Sequence, residues 1–268
     1  MDDQYLDFAK NLALQAGEII RKNFILGAKR EWKADGSPVT ETDLAVNRLV
    51  IDEIKKKFKT HGVLGEEESA LGKDDEFLWV CDPIDGTIPF SHGYPTFAFS
   101  LALVKDGEVI LGVLHDPILD RLVWAQKGKG AFLNGKPISV SQKSDLKNGM
   151  LDLSVTDRFA YKIAGVRTDF DHEGAFTLTL GSVCYGSLMV ASGEFIGEIY
   201  CSIYSHDIAA AKVIVDEAGG RVTDLFGKEQ RYDGGLRGAI ISNGKVHDDL
   251  VRVIGQFLNR KPQKRESL

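Results

Sequence analysis

The chain has 268 residues, 43% hydrophobic and 27% charged, with 33 Lys and Arg against 39 Asp and Glu for a net charge of -6. That balance suits a globular protein with a sizeable core, excludes disordered and fibrous classes, and with scattered basic residues argues against nucleic acid as the main partner. Three distant cysteines (Cys81, Cys184, Cys201) argue against a disulfide framework, and with neither a basic-then-apolar leader nor a bilayer-length apolar run a cytoplasmic protein is expected.

In chain order, Leu6, Ala9, Leu12, Ala13, Ala16, Ile19, Ile20 and Phe24 have the spacing of an amphipathic helix over residues 5–24. A second helix starts near Thr42 or Asp43 as N-cap and carries Leu44, Val46, Leu49, Val50, Ile54 and Phe58, with Lys55, Lys56 and Lys57 as a solvated face. Buried-strand patterns at residues 63–65 and 77–81 each end directly in acidic residues. Residues 96–104, 109–115 and 121–125, separated by Lys105-Asp106-Gly107 and Asp116-Pro117, read as a β-meander. Further on come a strand at 150–155, a helix at 182–191, a strand at 194–200, and a helix at 207–218 stopped by Gly219-Gly220. A strand at 237–242 and a helix at 246–258 follow, and the Lys/Arg-rich tail after Asn259 reads as a frayed terminus. With no linker and no repeat, these blocks predict one unit of stacked α and β layers.

The sharpest chemical feature is Asp82-Pro83-Ile84-Asp85-Gly86-Thr87. Two carboxylates behind a stiffening proline suit a hard divalent cation, and Gly86 lets a backbone amide approach an anion. Asp-Pro and Asp-Gly are also plain turn formers, so the segment alone does not decide the matter. Glu66-Glu67-Glu68 follows its strand in the same way, with Glu66 the natural ligand; a solvated loop is the bland alternative. Val39-Thr40-Glu41-Thr42-Asp43, after the polar loop Lys33-Ala34-Asp35-Gly36-Ser37, is explained equally by helix capping. In His206-Asp207-Ile208-Ala209-Ala210-Ala211, Asp207 stands at a helix start as cap or ligand, and His206 is expected to pack or cap. Cys184 and Cys201 read as small core residues, and Phe90, Tyr94, Phe97 and Phe99 as core aromatics.

Taken in order, these segments resemble the inositol monophosphatase family of lithium-sensitive, Mg2+-dependent phosphatases. The resemblance runs from the first helix to about Asn243. It includes Gly128-Lys129-Gly130-Ala131-Phe132-Leu133-Asn134-Gly135, Gly181-Ser182, and Glu217-Ala218-Gly219-Gly220 beside the acidic motifs. It implies an α+β, layered αβαβα sandwich with a larger antiparallel-rich sheet and a second, smaller sheet between helical layers. It also implies a single unit over residues 1–268, with a metal and phosphate-loop lobe at 1–145 and a substrate-side lobe at 146–268 contributing Asp207. By the same resemblance Glu66, Asp82 and the Ile84 carbonyl hold one Mg2+, Asp82, Asp85 and Asp207 a second, and Glu66 a weaker third. Gly86 and Thr87 amides would bind phosphate, with Asp85, Gly181, Ser182 and Asp207 also on the substrate side. Asp43 would polarise Thr87, which with Glu66 would orient and deprotonate a metal-activated water for direct attack on a small phosphate monoester. A homodimer is the family expectation.

Three departures bear on substrate. Ile88-Pro89-Phe90 replaces the family's usual Thr-Asn-Phe, and Pro89 is expected to hold Ile88 extended and alter the start of the next helix. His206 replaces a usual Trp. Tyr200 aligns with a Glu that contacts hydroxyls in inositol-preferring enzymes, while Glu198 lies near but out of register. Inositol 1-phosphate or a related sugar or polyol phosphate is therefore expected, with fructose 1,6-bisphosphate, histidinol phosphate or nucleotide 3'-phosphate as alternatives on the same metal core. A regulatory protein on this fold is the non-enzymatic alternative; retention of Glu66, Asp82, Asp85, Asp207 and Thr87 favours the enzyme.

Overall fold

The computed structural model describes residues 3–34, 36–70, 76–156 and 161–260, so Asp35 of the polar loop and most of the basic tail lie outside the described residues. The first two amphipathic patterns form α1 (Asp3–Asn23) and α2 (Glu41–Lys57), packed on each other. Between them, β1 (Glu31–Trp32) and β2 (Pro38–Val39) make a two-stranded antiparallel sheet. The cap of α2 is Thr40, not Thr42 or Asp43: its side chain accepts from the Asp43 N–H, and the Asp43 carboxylate accepts from the Thr40 N–H in a capping box. Asp43 is thereby turned inward, at the third position of the helix.

A seven-stranded sheet runs in the order β3 (Gly62–Gly65), β4 (Phe77–Asp85), β5 (Ala98–Lys105), β6 (Glu108–Asp116), β7 (Arg121–Gln126), β8 (Ala131–Leu133) and β9 (Lys136–Pro137). Only β3 and β4 pair in parallel; every later neighbour is antiparallel. β4 continues past Cys81 to Asp85, with a register shift against β5 between Asp82 and Asp85. Such an irregularity re-aims side chains, here the two aspartates. The short α3 (Thr87–Ser91) follows. Pro89 does not hold Ile88 out of it: Ile88 is helical, because Pro89 falls in the first turn, where backbone N–H groups lack intrahelical acceptors and a missing donor costs nothing.

The second sheet runs in the order β11 (Phe176–Leu178), β10 (Met150–Ser154), β12 (Gly197–Tyr200), β14 (Ala239–Ser242) and β13 (Arg221–Thr223), with β10 parallel to β11 and β12. Its helices are α4 (Arg167–His172), α5 (Val183–Ala191), α6 (Ala209–Glu217) and α7 (His247–Leu258). α1 and α2 cover one face of the large sheet, α5 and α6 lie between the sheets, and α4 and α7 cover the outer face of the small one, an αβαβα sandwich.

Strand alternation builds these layers. In β5, Leu101 and Leu103 join the cluster under α1 and α2 with Leu12, Val50 and Trp79, while Ala98, Ala102 and Val104 face the other way, toward Leu188, Ile214 and Ile241. α6 comes so close to β6 that a Cβ on Gly112 would stand 2.7 Å from the Ala210 carbonyl oxygen. The outer cluster gathers Leu151, Phe170, Leu250 and Ile254. Phe90, Phe97 and Phe99 are buried as expected, but Tyr94 is exposed in the turn after α3.

Candidate metal centre

The strand ends converge on one cleft of about 560 Å³, lined by Glu66, Asp82, Ile84, Asp85, Gly86, Thr87, Gly181 and Asp207 together with Trp32, Lys33, Tyr204 and His206. Glu66 follows β3, Asp82 and Asp85 come from the end of β4, and Asp207 comes from a turn just before α6, not from the helix itself, which starts at Ala209. Carboxylate oxygens of Asp82, Asp85 and Asp207 lie within 4.8 Å of one another, as do ligand atoms of Glu66, Asp82 and His206.

Electrostatics makes this grouping costly by itself. Asp82 is 2% exposed and its Oδ1 has no hydrogen-bond partner. Burial first, then Glu66, Asp85 and Asp207, push its carboxyl well above the usual range. Burial and then Asp207 raise Asp85 to about 7, against the pull of Ser182 and Cys184. Burial raises Glu66 to about 8, although Lys33 opposes the shift. Lys33 Nζ donates to Glu66 Oε1 and Glu67 Oε1, at 2.9 Å each. One lysine against five acids, Glu66, Glu67, Asp82, Asp85 and Asp207, cannot offset their mutual repulsion. The oxygen donors of Asp82, Asp85 and Asp207, one of them orphaned and buried, fit a hard divalent cation, with the His206 ring a nitrogen neighbour of Glu66 and Asp82.

The remaining expected residues surround this centre. Thr87 Oγ1 donates to Asp43 Oδ1 and the Ile84 carbonyl, at 3.2 Å each. Asp43 is fully buried, accepts from the Thr40 N–H at 2.9 Å and from the Thr40 hydroxyl, and is raised by burial to about 6. Gly86 caps α3 at φ 95°, where an added Cβ would lie 3.0 Å from both the Thr96 carbonyl and Ser182. Gly181 lines the cleft, whereas the Ser182 hydroxyl donates to Asp85 Oδ2 at 2.7 Å, and the Cys184 N–H donates to the same oxygen at 2.5 Å. Ser182 is also the N-cap of α5.

Four further side chains belong here that the motifs did not assign. Trp32 arrives on β1 and Lys33 directly after it, and Tyr204 stacks on His206 with centroids 5.3 Å apart and planes 12° apart. His206 does more than pack or cap: its Nε2 lies 3.4 Å from Asp207 Oδ1, and burial lowers the imidazole below its ordinary value, favouring the neutral ring. Tyr200 is buried and its hydroxyl donates to Asp207 Oδ2, while Glu198 lies wholly in the core. A lone lysine, histidine or tyrosine carries no spacing signal; only the acidic motif next to His206 hinted at it.

The sequence matches the model of the inositol monophosphatase family over residues 1–257. A fructose-1,6-bisphosphatase/inositol-1-monophosphatase of Thermotoga maritima is 38% identical over 254 residues, spanning 94% of this chain and 96% of its own. Inositol monophosphatase 3 of Solanum lycopersicum is 34% identical over 274 residues, spanning 95% and 97% respectively. The solved structure of a Thermotoga maritima IMPase is similar at a TM-score of 0.86 with 34% identity, covering 95% of this chain and 98% of that one.

Proposed function

This chain belongs to the inositol monophosphatase family and is a phosphoric monoester hydrolase, and we propose that it hydrolyses a sugar or polyol phosphate with two to three Mg2+ ions held by Glu66, Asp82, the Ile84 carbonyl, Asp85 and Asp207. The observation that carries this is the orphaned Oδ1 of Asp82 amid crowded buried carboxylates. Mg2+ would supply charge neutralisation and Lewis-acid polarisation of the phosphoryl group and of water. In this proposal residues 1–268 work as one unit, the 1–145 lobe bringing the phosphate loop and the 146–268 lobe bringing Asp207.

The chain's own groups then divide the work. Thr87 donates its proton toward Asp43, so its oxygen lone pairs remain free to accept from an attacking water. Glu66 takes the proton of that water; the pairing with Lys33 fixes its carboxylate. Amides of Gly86 and Thr87 at the start of α3 hold the phosphate, with Gly181 opposite. Asp85 is kept in place by Ser182 and Cys184. Attack is direct, and a trapped covalent phosphoprotein would overturn it.

A second reading, fructose 1,6-bisphosphatase activity, is supported by the Thermotoga maritima relative named for both activities, while Tyr200, whose hydroxyl donates to Asp207, offers no carboxylate to inositol hydroxyls. The test is phosphate release with Mg2+ and with EDTA from inositol 1-phosphate, fructose 1,6-bisphosphate, histidinol phosphate, adenosine 3',5'-bisphosphate and NADP. We expect EDTA-sensitive turnover of a sugar or polyol phosphate; no release from any of them with Mg2+ would favour a regulatory role instead. Lithium inhibition in the same assay and a homodimer by light scattering are family expectations carried with the proposal, and a cytoplasmic location is carried from the cysteine pattern. Among the described residues, no helix is long and apolar enough to cross a membrane.

A further inference from the structure

Two carboxyl groups in the core stand outside the reaction described above. Asp152 on β10 and Glu198 on β12 are directly opposed in register and fully buried. Asp152 Oδ2 and Glu198 Oε1 are both buried and accept from no donor group, and both crowd the same point beneath Gly186. Burial raises both; Asp152 raises Glu198 further, whereas the contact with Glu198 lowers Asp152, so a proton between them belongs on Glu198 with Asp152 as its acceptor. Gly186 of α5 makes the room: a Cβ there would stand 2.5 Å from Glu198 Oε1 and 2.8 Å from Asp152 Oδ2.

A buried acid pair costs stability, and apolar residues of similar volume are often as good or better for the fold. What this pair does touch leads to the metal centre. Asp152 Oδ1 accepts the Leu180 N–H at 3.0 Å, and Glu198 Oε2 accepts the Ser187 hydroxyl at 2.8 Å. Leu180 leads into Gly181 and Ser182, and Ser187 lies in α5; both contacts therefore bracket the segment that presents Ser182 Oγ and Cys184 N to Asp85. The same helix reaches Asp207, whose backbone carbonyl accepts from Cys184 Sγ at 3.3 Å.

We infer that Asp152 and Glu198 are positioning residues: the pair clamps the turn at residues 180–182 and α5 from beneath, and so holds Asp85 in ligand geometry. The inference rests on the proposed role of Asp85 as a metal ligand. Side chains that orient a ligand typically change metal affinity by roughly 10- to 100-fold when lost.

The decisive variants are Asp152→Leu with Glu198→Leu together, and Glu198→Gln alone. The double variant removes both buried acids at little cost in volume but leaves the Leu180 N–H and Ser187 hydroxyl without acceptors. Glu198→Gln keeps the pattern, its carbonyl accepting from Ser187 and its amide donating to Asp152. Mg2+ binding by calorimetry and thermal unfolding in EDTA are measured on each full-length protein. We expect the double variant to stay cooperatively folded in EDTA, the gain from removing two buried acids offsetting the two orphaned donors, yet to bind Mg2+ at least tenfold more weakly, with Glu198→Gln within twofold of wild type. Unchanged Mg2+ affinity in the folded double variant overturns the inference, as does a loss in Glu198→Gln equal to that of the double variant. If the double variant does not fold, Ser187→Ala takes its place: a threefold or greater weakening supports the inference and an unchanged affinity overturns it. Wild-type protein that binds no Mg2+ defeats the metal assignment itself, a separate outcome.

Discussion

Asp85→Asn separates what the carboxylate cluster costs from what it does. An Asn carbonyl oxygen can still accept from Ser182 Oγ and Cys184 N, so the local backbone has no reason to move. In the metal-free protein Asp85 is raised from 3.8 to about 7 by burial and by Asp207. Because the folded-state pKa lies above the unfolded one, the stabilising contribution is complete below pH 3.8 and drains away as pH rises through about 7. Between pH 5 and pH 8 Asp85 alone accounts for about 3 kcal/mol, an upper figure because its neighbours titrate with it. Glu66, raised to about 8, steepens the same fall. Urea unfolding in EDTA at both pH values measures it. The wild type should lose several kcal/mol from pH 5 to pH 8; the variant should lose about 2 to 3 kcal/mol less and be the more stable protein at pH 8. With Mg2+ added, the order of usefulness reverses: the variant should release phosphate roughly 100-fold more slowly or worse. A variant less stable than wild type at pH 8 in EDTA, or one of undiminished activity, would refute this reasoning.

Thr87→Ala should lower kcat by roughly 100-fold while calorimetric Mg2+ affinity changes no more than a few-fold, since the hydroxyl serves water and Asp43 and reaches the cations only through the Ile84 carbonyl; Thr87→Ser should recover most of the rate. Lys33→Gln removes the cation that now competes for Glu66, so Mg2+ should bind severalfold more tightly by calorimetry while the EDTA-treated protein becomes less stable at pH 8. Gly86→Ala places a Cβ 3.0 Å from the Thr96 carbonyl at a φ of 95°, and should cost about 1–3 kcal/mol in denaturant unfolding together with most of the activity.

The long elements were legible because their period is dictated by burial. α1, α2 and the β5–β6–β7 meander emerged within a few residues of their sequence bounds, since each presents an apolar face to a layer above or below. The short pieces were not: α3, β8, β9, β11 and β13 have two to five residues, too short for a period to show. Asp207 moved from a helix start to the preceding turn, because Asp and Ala both suit a first turn and only the packing of α6 against β6 sets where the helix begins. Thr40, not Thr42, became the cap since it alone can exchange hydrogen bonds with an inward-facing Asp43.

The sequence by itself determined the family, the layered α+β class and the acidic motifs, for these are local strings whose spacing along the chain carries their meaning. Only the tertiary structure decided which side chains share the cleft. Lys33 meets Glu66, His206 meets Glu66 and Asp82, and Asp152 meets Glu198 through strand pairing and layer stacking, across separations on which periodicity is silent. The physical reason is that a carboxylate's partner is chosen by distance in space and by burial, and both are set once the two sheets have closed on α5 and α6.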